Sequence, residues 1–128
     1  MPLALRRVLL FVKDLEAQER FYREVLGLEP QDGPETSPDF VCLQADGMEL
    51  ALHRVPEAIA DTLDIATPPE PRSGTPLKLI FSVEDVAATC ARLSARGVRL
   101  GELQRFGALE FCDALDLEGN VFQISSRP

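Results

Sequence analysis

The sequence predicts an α+β fold of two tandem βαβββ modules, and three observations carry that prediction. The stretch Arg7-Val8-Leu9-Leu10-Phe11-Val12-Lys13-Asp14-Leu15-Glu16-Ala17 returns in outline as Lys78-Leu79-Ile80-Phe81-Ser82-Val83-Glu84-Asp85-Val86-Ala87-Ala88: cation, apolar run, charged residue, Asp, apolar residue, helix opening. Asp46-Gly47 followed by Met48-Glu49-Leu50-Ala51-Leu52 has a later partner in Asp116-Leu117-Glu118-Gly119-Asn120 followed by Val121-Phe122-Gln123-Ile124. Gly27 and Gly97 close the two helical patterns at matching points, each supplying the positive φ that ends a helix without a Cβ penalty. A repeat of this length means two diverged copies of one supersecondary unit.

Taken in order, Leu5 to Val12 is apolar on both alternating faces and rich in branched side chains, which predicts a buried first strand. Asp14 stands as N-cap to a helix running to about Leu26, with Ala17, Phe21, Val25 and Leu28 near helical spacing and Glu16, Glu19, Arg20 and Arg23 on the other side. Gln31 to Pro38 is a loop of turn formers. Asp39 to Gln44 and Glu49 to Arg54 alternate around Asp46-Gly47, a hairpin signal; a further strand of this module is not placed by its pattern. Pro56 to Pro76 holds too many prolines for a central strand and reads as the connection between modules, with a short helix expected near Ala58 to Leu63. The second module repeats the logic. Leu77 to Val83 is a strand, Asp85 starts a helix with Val86, Cys90 and Leu93 on one side, and Val98 to Leu103, Gly107 to Ala114 and Gly119 to Ser125 are the remaining strands.

The totals fit one domain over 1–128, with modules at about 1–55 and 77–128 and a Pro-rich connection at about 56–76. An apolar fraction of 45% is enough for a core without staples. No window approaches the roughly 20 apolar residues that span a bilayer, and the N-terminal run ends in Lys13-Asp14 with no cleavage-like segment, so a cytoplasmic location and no membrane partner are expected. Cys42, Cys90 and Cys112 are odd in number and share no CxxC spacing, which speaks against a disulfide framework and a zinc knuckle. The net charge of −8 opposes phosphate backbones, so no nucleic-acid partner is expected. No Gly-rich phosphate loop, serine elbow or basic aromatic stripe is present.

Phe21-Tyr22-Arg23-Glu24-Val25-Leu26-Gly27-Leu28 after the first strand, Asp116-Leu117-Glu118-Gly119-Asn120 before the last, and the doubled βαβββ pattern together resemble the vicinal oxygen chelate superfamily. This is the group of glyoxalase I, bleomycin-resistance proteins and extradiol dioxygenases, and the likeness covers the whole chain. It implies two half-barrel sheets around a concave cavity that holds the ligand, and a homodimer. It also implies, in the metal-using branches, a ligand from the first and the last strand of each module, typically His or Gln and then Glu. Carried over residue by residue, those positions fall at Arg7, Ala51, Lys78 and Gln123. Arg stays protonated and Lys is protonated at neutral pH, Ala51 has no donor, and Gln123 offers a neutral amide oxygen. Two cations repel a divalent ion, so neither metal nor other cofactor is expected.

What remains is a metal-independent protein that binds a small organic ligand, an antibiotic or a metabolite, resembling the drug-sequestering branch. The expected cavity residues are Arg7, Leu9, Phe11, Glu49, Ala51, His53, Lys78, Ile80, Glu110 and Gln123. His53, the sole histidine, shares a strand face with Glu49 and Ala51; it reads as a pocket residue or as a solvated structural one. Glu49 and Glu110 read as ion-pair partners for Arg7 and Lys78, or as acid and base groups if buried. Phe11, Phe40, Phe106 and Phe111 read as core or as the floor of an apolar pocket. The competing reading is an enzyme, a metal-dependent lyase, isomerase or dioxygenase whose ion sits on His53, Glu49, Gln123 and Glu110.

Overall fold

The computed structural model describes residues 3–127. The chain divides into two compact units, with the boundary between Asp64 and Ile65, inside the predicted connection. The first contains β1 (Arg7–Val12), α1 (Leu15–Arg20), a π-helical turn (Phe21–Val25), β2 (Glu29–Pro30), β3 (Phe40–Ala45), β4 (Met48–Arg54) and α2 (Glu57–Ala60). Its sheet runs β1-β4-β3-β2, with β1 parallel to β4 and the other pairs antiparallel. The second contains β5 (Leu79–Val83), α3 (Val86–Ala95), β6 (Gln104–Phe106), β7 (Leu109–Leu115) and β8 (Val121–Ser126), in the order β5-β8-β7-β6. Each unit is a βαβββ module, and the α+β class is as predicted. Among the described residues, no helix is long and apolar enough to cross a membrane.

Both helices begin as their sequences dictate. Asp14 and Asp85 have extended backbones, and their carboxylates accept the Ala17 N–H at 3.1 Å and the Ala88 N–H at 2.9 Å, satisfying donors that the first helical turn leaves open. One face of each sheet meets its helix. In the first unit Val12, Leu43, Leu50 and Leu52 bury there with Leu15, Phe21 and Tyr22. Arg54, which follows that parity on β4, reaches Glu16 of α1 at 2.6 Å. In the second unit Cys112, Ala114, Phe122 and Ile124 bury with Val86 and Leu93.

Two expectations need correction, and two elements left loose by the sequence are now placed. Helix one is not α-helical to Leu26: after Arg20 it widens into a π turn, with the Leu26 N–H donating to the Phe21 carbonyl at 3.2 Å. A wider turn leaves a smaller angle between neighbours, so Phe21 and Tyr22 both bury, rings edge to face at 5.3 Å. Residues 98–103 are not a strand. The segment holds only a lone bridge from Leu100 to Ala114, and the paired edge is β6 further on, because Gly107 (φ 61) sets a tight turn that brings Phe106 opposite Leu109. The unplaced strand of the first module is β2, two residues long and too short to show a period. The helix expected near Ala58 to Leu63 is the single turn α2, which starts directly after Pro56.

The turn Asp116-Leu117-Glu118-Gly119-Asn120 is built by one buried carboxylate. Asp116 Oδ1 accepts the N–H groups of Glu118 at 2.9 Å and Asn120 at 3.0 Å, and Oδ2 accepts the Asn120 side-chain amide at 2.9 Å. In the first module the corresponding hairpin needs no such carboxylate. Asp46 (φ 38) and Gly47 (φ 92) both take positive φ, the geometry that matches strand twist.

Candidate functional site

The face of the first sheet turned away from α1 holds six of the predicted residues. Pairing places Arg7 opposite Glu49, Leu9 opposite Ala51 and Phe11 opposite His53, and β3 continues these rows with Gln44, Cys42 and Phe40. Side chains directly opposite share a face, so three rows run across the sheet: one charged, one small, one aromatic.

In the charged row Glu49 is nearly enclosed. Its Oε2 accepts Arg7 Nε at 2.8 Å and Arg6 Nη1 at 2.9 Å, and its Oε1 accepts Gln31 Nε2 at 3.3 Å. Arg7 also pairs with Glu35 at 2.8 Å and sets its guanidinium carbon 5.8 Å from the Phe40 ring centroid. The Arg7 hydrogen bond holds the Glu49 carboxyl below the usual carboxylate range. Glu35 is lowered too, first by its own backbone N–H and then by Arg7, and Arg7 itself is raised by Glu49 and Glu35. Burial, then the Glu49 charge, pushes the Cys42 thiol up, so it is no ready thiolate at neutral pH. These groups surround a cavity of ≈ 250 Å³ lined by Arg6, Arg7, Gln31, Glu35, Cys42 and Glu49, with residues 32–34 and Thr36 of the loop. In the aromatic row His53 lies between Phe11 at 5.6 Å and Phe40 at 5.7 Å, ring centre to ring centre.

The corresponding face of the second sheet carries a polar cluster around Asp113 beside apolar Ile80, Phe111, Leu115 and Val121. Ile80 pairs with Gln123, and Gln123 pairs with Asp113. Asp113 accepts both Lys78 Nζ, at 3.0 Å, and Gln123 Nε2, at 3.1 Å. The expected Lys78 to Glu110 pair is therefore wrong. Glu110 is three residues from Asp113 along β7 and so on the opposite face, where its carboxylate is 3.9 Å from Arg105. Its removal from the Lys78 cluster follows from strand alternation alone.

Sequence reasoning missed Asp113, Arg6, Gln31 and Glu35. Asp113 had a signal, since it shares the parity of Phe111 on β7. Gln31 and Glu35 lie in a loop whose only pattern was turn formers, and nothing in their spacing pointed at Glu49. Phe106, read as pocket floor or core, is 80% exposed on the edge strand β6.

The sequence matches the family model described as the glyoxalase/bleomycin resistance protein/dioxygenase superfamily over residues 4–124. The chain belongs to that superfamily. No curated protein matches the sequence. Among solved structures, the fosfomycin resistance protein FosX from Listeria monocytogenes is 17% identical, with 100% of this chain and 96% of that one covered and a TM-score of 0.75. The antibiotic binding protein TnmS3 from Streptomyces sp. CB03234 is 23% identical, covering 98% of its own length and 99% of this chain, at a TM-score of 0.70. Lactoylglutathione lyase from Agrobacterium tumefaciens is 24% identical over 98% of this chain and 94% of that one, at 0.71. Identities this low establish the fold alone.

The metal of the superfamily's metal-using branches does not fit the residues present. At the four positions carried over, the Arg7 guanidinium is consumed by two carboxylates, Ala51 has no donor atom, the Lys78 ammonium is tied to Asp113, and the Gln123 amide donates to the same Asp113. Among the described residues, no group of three or more His, Cys, Asp or Glu is arranged to hold an ion. Glu49, the best carboxylate on the first sheet, already carries three donors, two of them guanidinium groups that would repel a cation.

Proposed function

We propose that this chain binds a small organic molecule without a metal, in the manner of a sequestering protein, and that Arg7, Leu9, Phe11, Glu49, Ala51 and His53 form the binding face of the first module. Lys78, Ile80 and Gln123 are the equivalent positions of the second. The observation that carries the reading is the Glu49 cluster beside a ≈ 250 Å³ cavity: a carboxylate pinned by Arg6, Arg7 and Gln31, with two guanidinium groups against it that would repel a cation. Binding by itself needs no acid, base or nucleophile, and the Cys42 thiol and the Glu49 carboxylate are both held in their resting protonation states at neutral pH.

The test is elemental mass spectrometry on untagged protein purified without chelators, together with a thermal-shift screen of small organic molecules. The expected result is substoichiometric metal and at least one organic ligand that raises the melting midpoint by mass action. About one divalent ion per chain would overturn the reading and make His53 and Glu49 the first residues to mutate. The working unit is proposed to be a homodimer in the cytoplasm, and light scattering that returns a monomer mass at micromolar concentration would refute the assembly.

A further inference from the structure

We infer that Cys90 and Cys112 of the second unit form a reversible disulfide when a peroxide oxidises the chain, tying α3 to β7. Neither thiol lines a face named in the binding reading, so the pair is a modification site separate from the ligand.

Strand alternation and helical spacing bring the two sulfurs to one interface. On β7, Cys112 shares the parity of buried Ala114, on the face that meets α3, and is itself 2% exposed. On α3, Cys90 stands four residues after Val86 and three before Leu93, the two buried residues of that helix, so it belongs to the same inward stripe. It is half-buried where Cys112 is closed off. The helix packs on β7 and β8. All three cysteines are free thiols, and the Cys90 thiol stands within hydrogen-bonding reach of Cys112, whereas Cys42 lies in the first unit beside Glu49. Closing the bond to about 2 Å asks for rotation about the two Cα–Cβ bonds.

The difference in exposure sets the order of events. Burial, and then the neighbouring Cys90 thiol, push the Cys112 thiol up, so Cys112 keeps its proton in the reduced chain and the more open Cys90 takes the first step. The Cys90 thiolate attacks one peroxide oxygen, the O–O bond breaks, and the departing hydroxide takes the proton that the thiol gave up. This leaves Cys90 as a sulfenic acid and releases one water. The Cys112 sulfur then attacks the Cys90 sulfur: the S–S bond forms, the S–O bond breaks, and hydroxide leaves with the Cys112 proton as a second water. Two thiols are oxidised, and one peroxide is reduced to two waters. In the reduced chain the Cys112 S–H donates to the Gly101 carbonyl at 3.2 Å. The disulfide replaces that hydrogen bond with a covalent tie that closes a loop of about 20 residues.

The test treats the full chain with hydrogen peroxide, blocks remaining thiols with iodoacetamide and digests with trypsin in the absence of reductant. The expected product is residues 79–92 joined to residues 106–128, two hydrogens lighter than the two peptides together, from protein that runs as a single chain on a non-reducing gel. Dithiothreitol should reverse it. The oxidised chain should melt about 5 °C or more above the reduced one, because the link constrains the unfolded chain most. Cys90→Ala, at a helix position that alanine suits, should abolish both the link and the rise, and Cys42→Ala should abolish neither. Cys90 driven to sulfinic acid without a link, a link to Cys42, a link between two chains, or a link that forms only in urea overturns the inference. So does a Cys90 to Cys112 link that leaves the midpoint unchanged or lower, since α3 would then be displaced from β7 by the bond rather than tied to it.

Discussion

Glu49 is the residue on which the first module's polar chemistry turns, and its ionisation has a stability consequence with a definite sign. Its carboxyl is lowered by Arg7 in the folded chain, as is that of Glu35 by its backbone N–H and Arg7 and that of Glu16 by Arg54. A depressed folded value means that the folded state holds its proton less tightly than the unfolded chain does. Stability from these carboxylates is therefore complete above the ordinary value of 4.5 and is lost as pH falls through the folded values beneath it. Urea midpoints measured from pH 7 downward should stay flat to near that ordinary value and then fall. Glu49→Gln should lower the midpoint at neutral pH and flatten the fall in acid; a variant with the parental acid limb would mean that the Arg7 pair adds nothing. Asp85→Ala tests a simpler residue-level claim. It removes the acceptor of the Ala88 N–H and should cost about 1 kcal/mol by urea unfolding.

Elements are positioned here by a few turns whose backbone demands differ, and two glycines expose the difference. Gly47 and Gly119 both have positive φ, 92° and 83°, so alanine at either is strained. At Gly47 an added Cβ meets nothing within 4 Å, and the strain of about 1 kcal/mol is the whole cost. At Gly119 the Cβ would overlap the Glu70 carbonyl oxygen and come within 3.2 Å of Arg72 Cγ, in the strap whose Arg72 N–H donates to the Gly119 carbonyl. Gly119→Ala should therefore destabilise by clearly more than Gly47→Ala, about 2 kcal/mol or more in urea unfolding; equal effects would mean that the strap moves aside freely. These turns also explain what the sequence could disclose. The Asp14 and Asp85 caps, the Asp46-Gly47 hairpin and the repeated strand-helix openings rest on local chemistry, and all were legible. Parity along a strand was legible as well, which is why Arg7, Glu49 and His53 fell on one face and why Glu110 need not have been misplaced. The π turn at Phe21, the two-residue β2 and the Gln31 and Glu35 contacts were not legible, because each depends on where another element packs rather than on any period of its own.

At the scale of the whole molecule a charge of −8 gathers cations without giving them a site, and the two effects differ in size. At physiological salt the Debye length is about 8 Å, so diffuse attraction to an acidic surface is largely screened and should move the melting midpoint by no more than ~1 °C. A built site behaves otherwise. At a free-ion concentration a hundredfold above Kd it adds about 2.7 kcal/mol, which for a chain of this length is roughly ten degrees. On the metal-free binding proposed above, Arg7 and Lys78 at the two first-strand positions, and Ala51 at the last strand of the first module, put the chain in the first regime. Zinc, manganese and nickel, each added at millimolar level in physiological salt, should leave the midpoint within that diffuse range, and prior treatment with chelator should not lower it. The control is a chain given donors within the first module, Arg7→His with Ala51→Glu beside Glu49. If the Arg7 cation and the missing Ala51 donor are what excludes the ion, this double variant gains a salt-resistant, metal-dependent rise that the parent lacks. If the parent itself shows the larger rise, donors other than the inherited positions hold an ion, and the superfamily's metal chemistry is open to it after all.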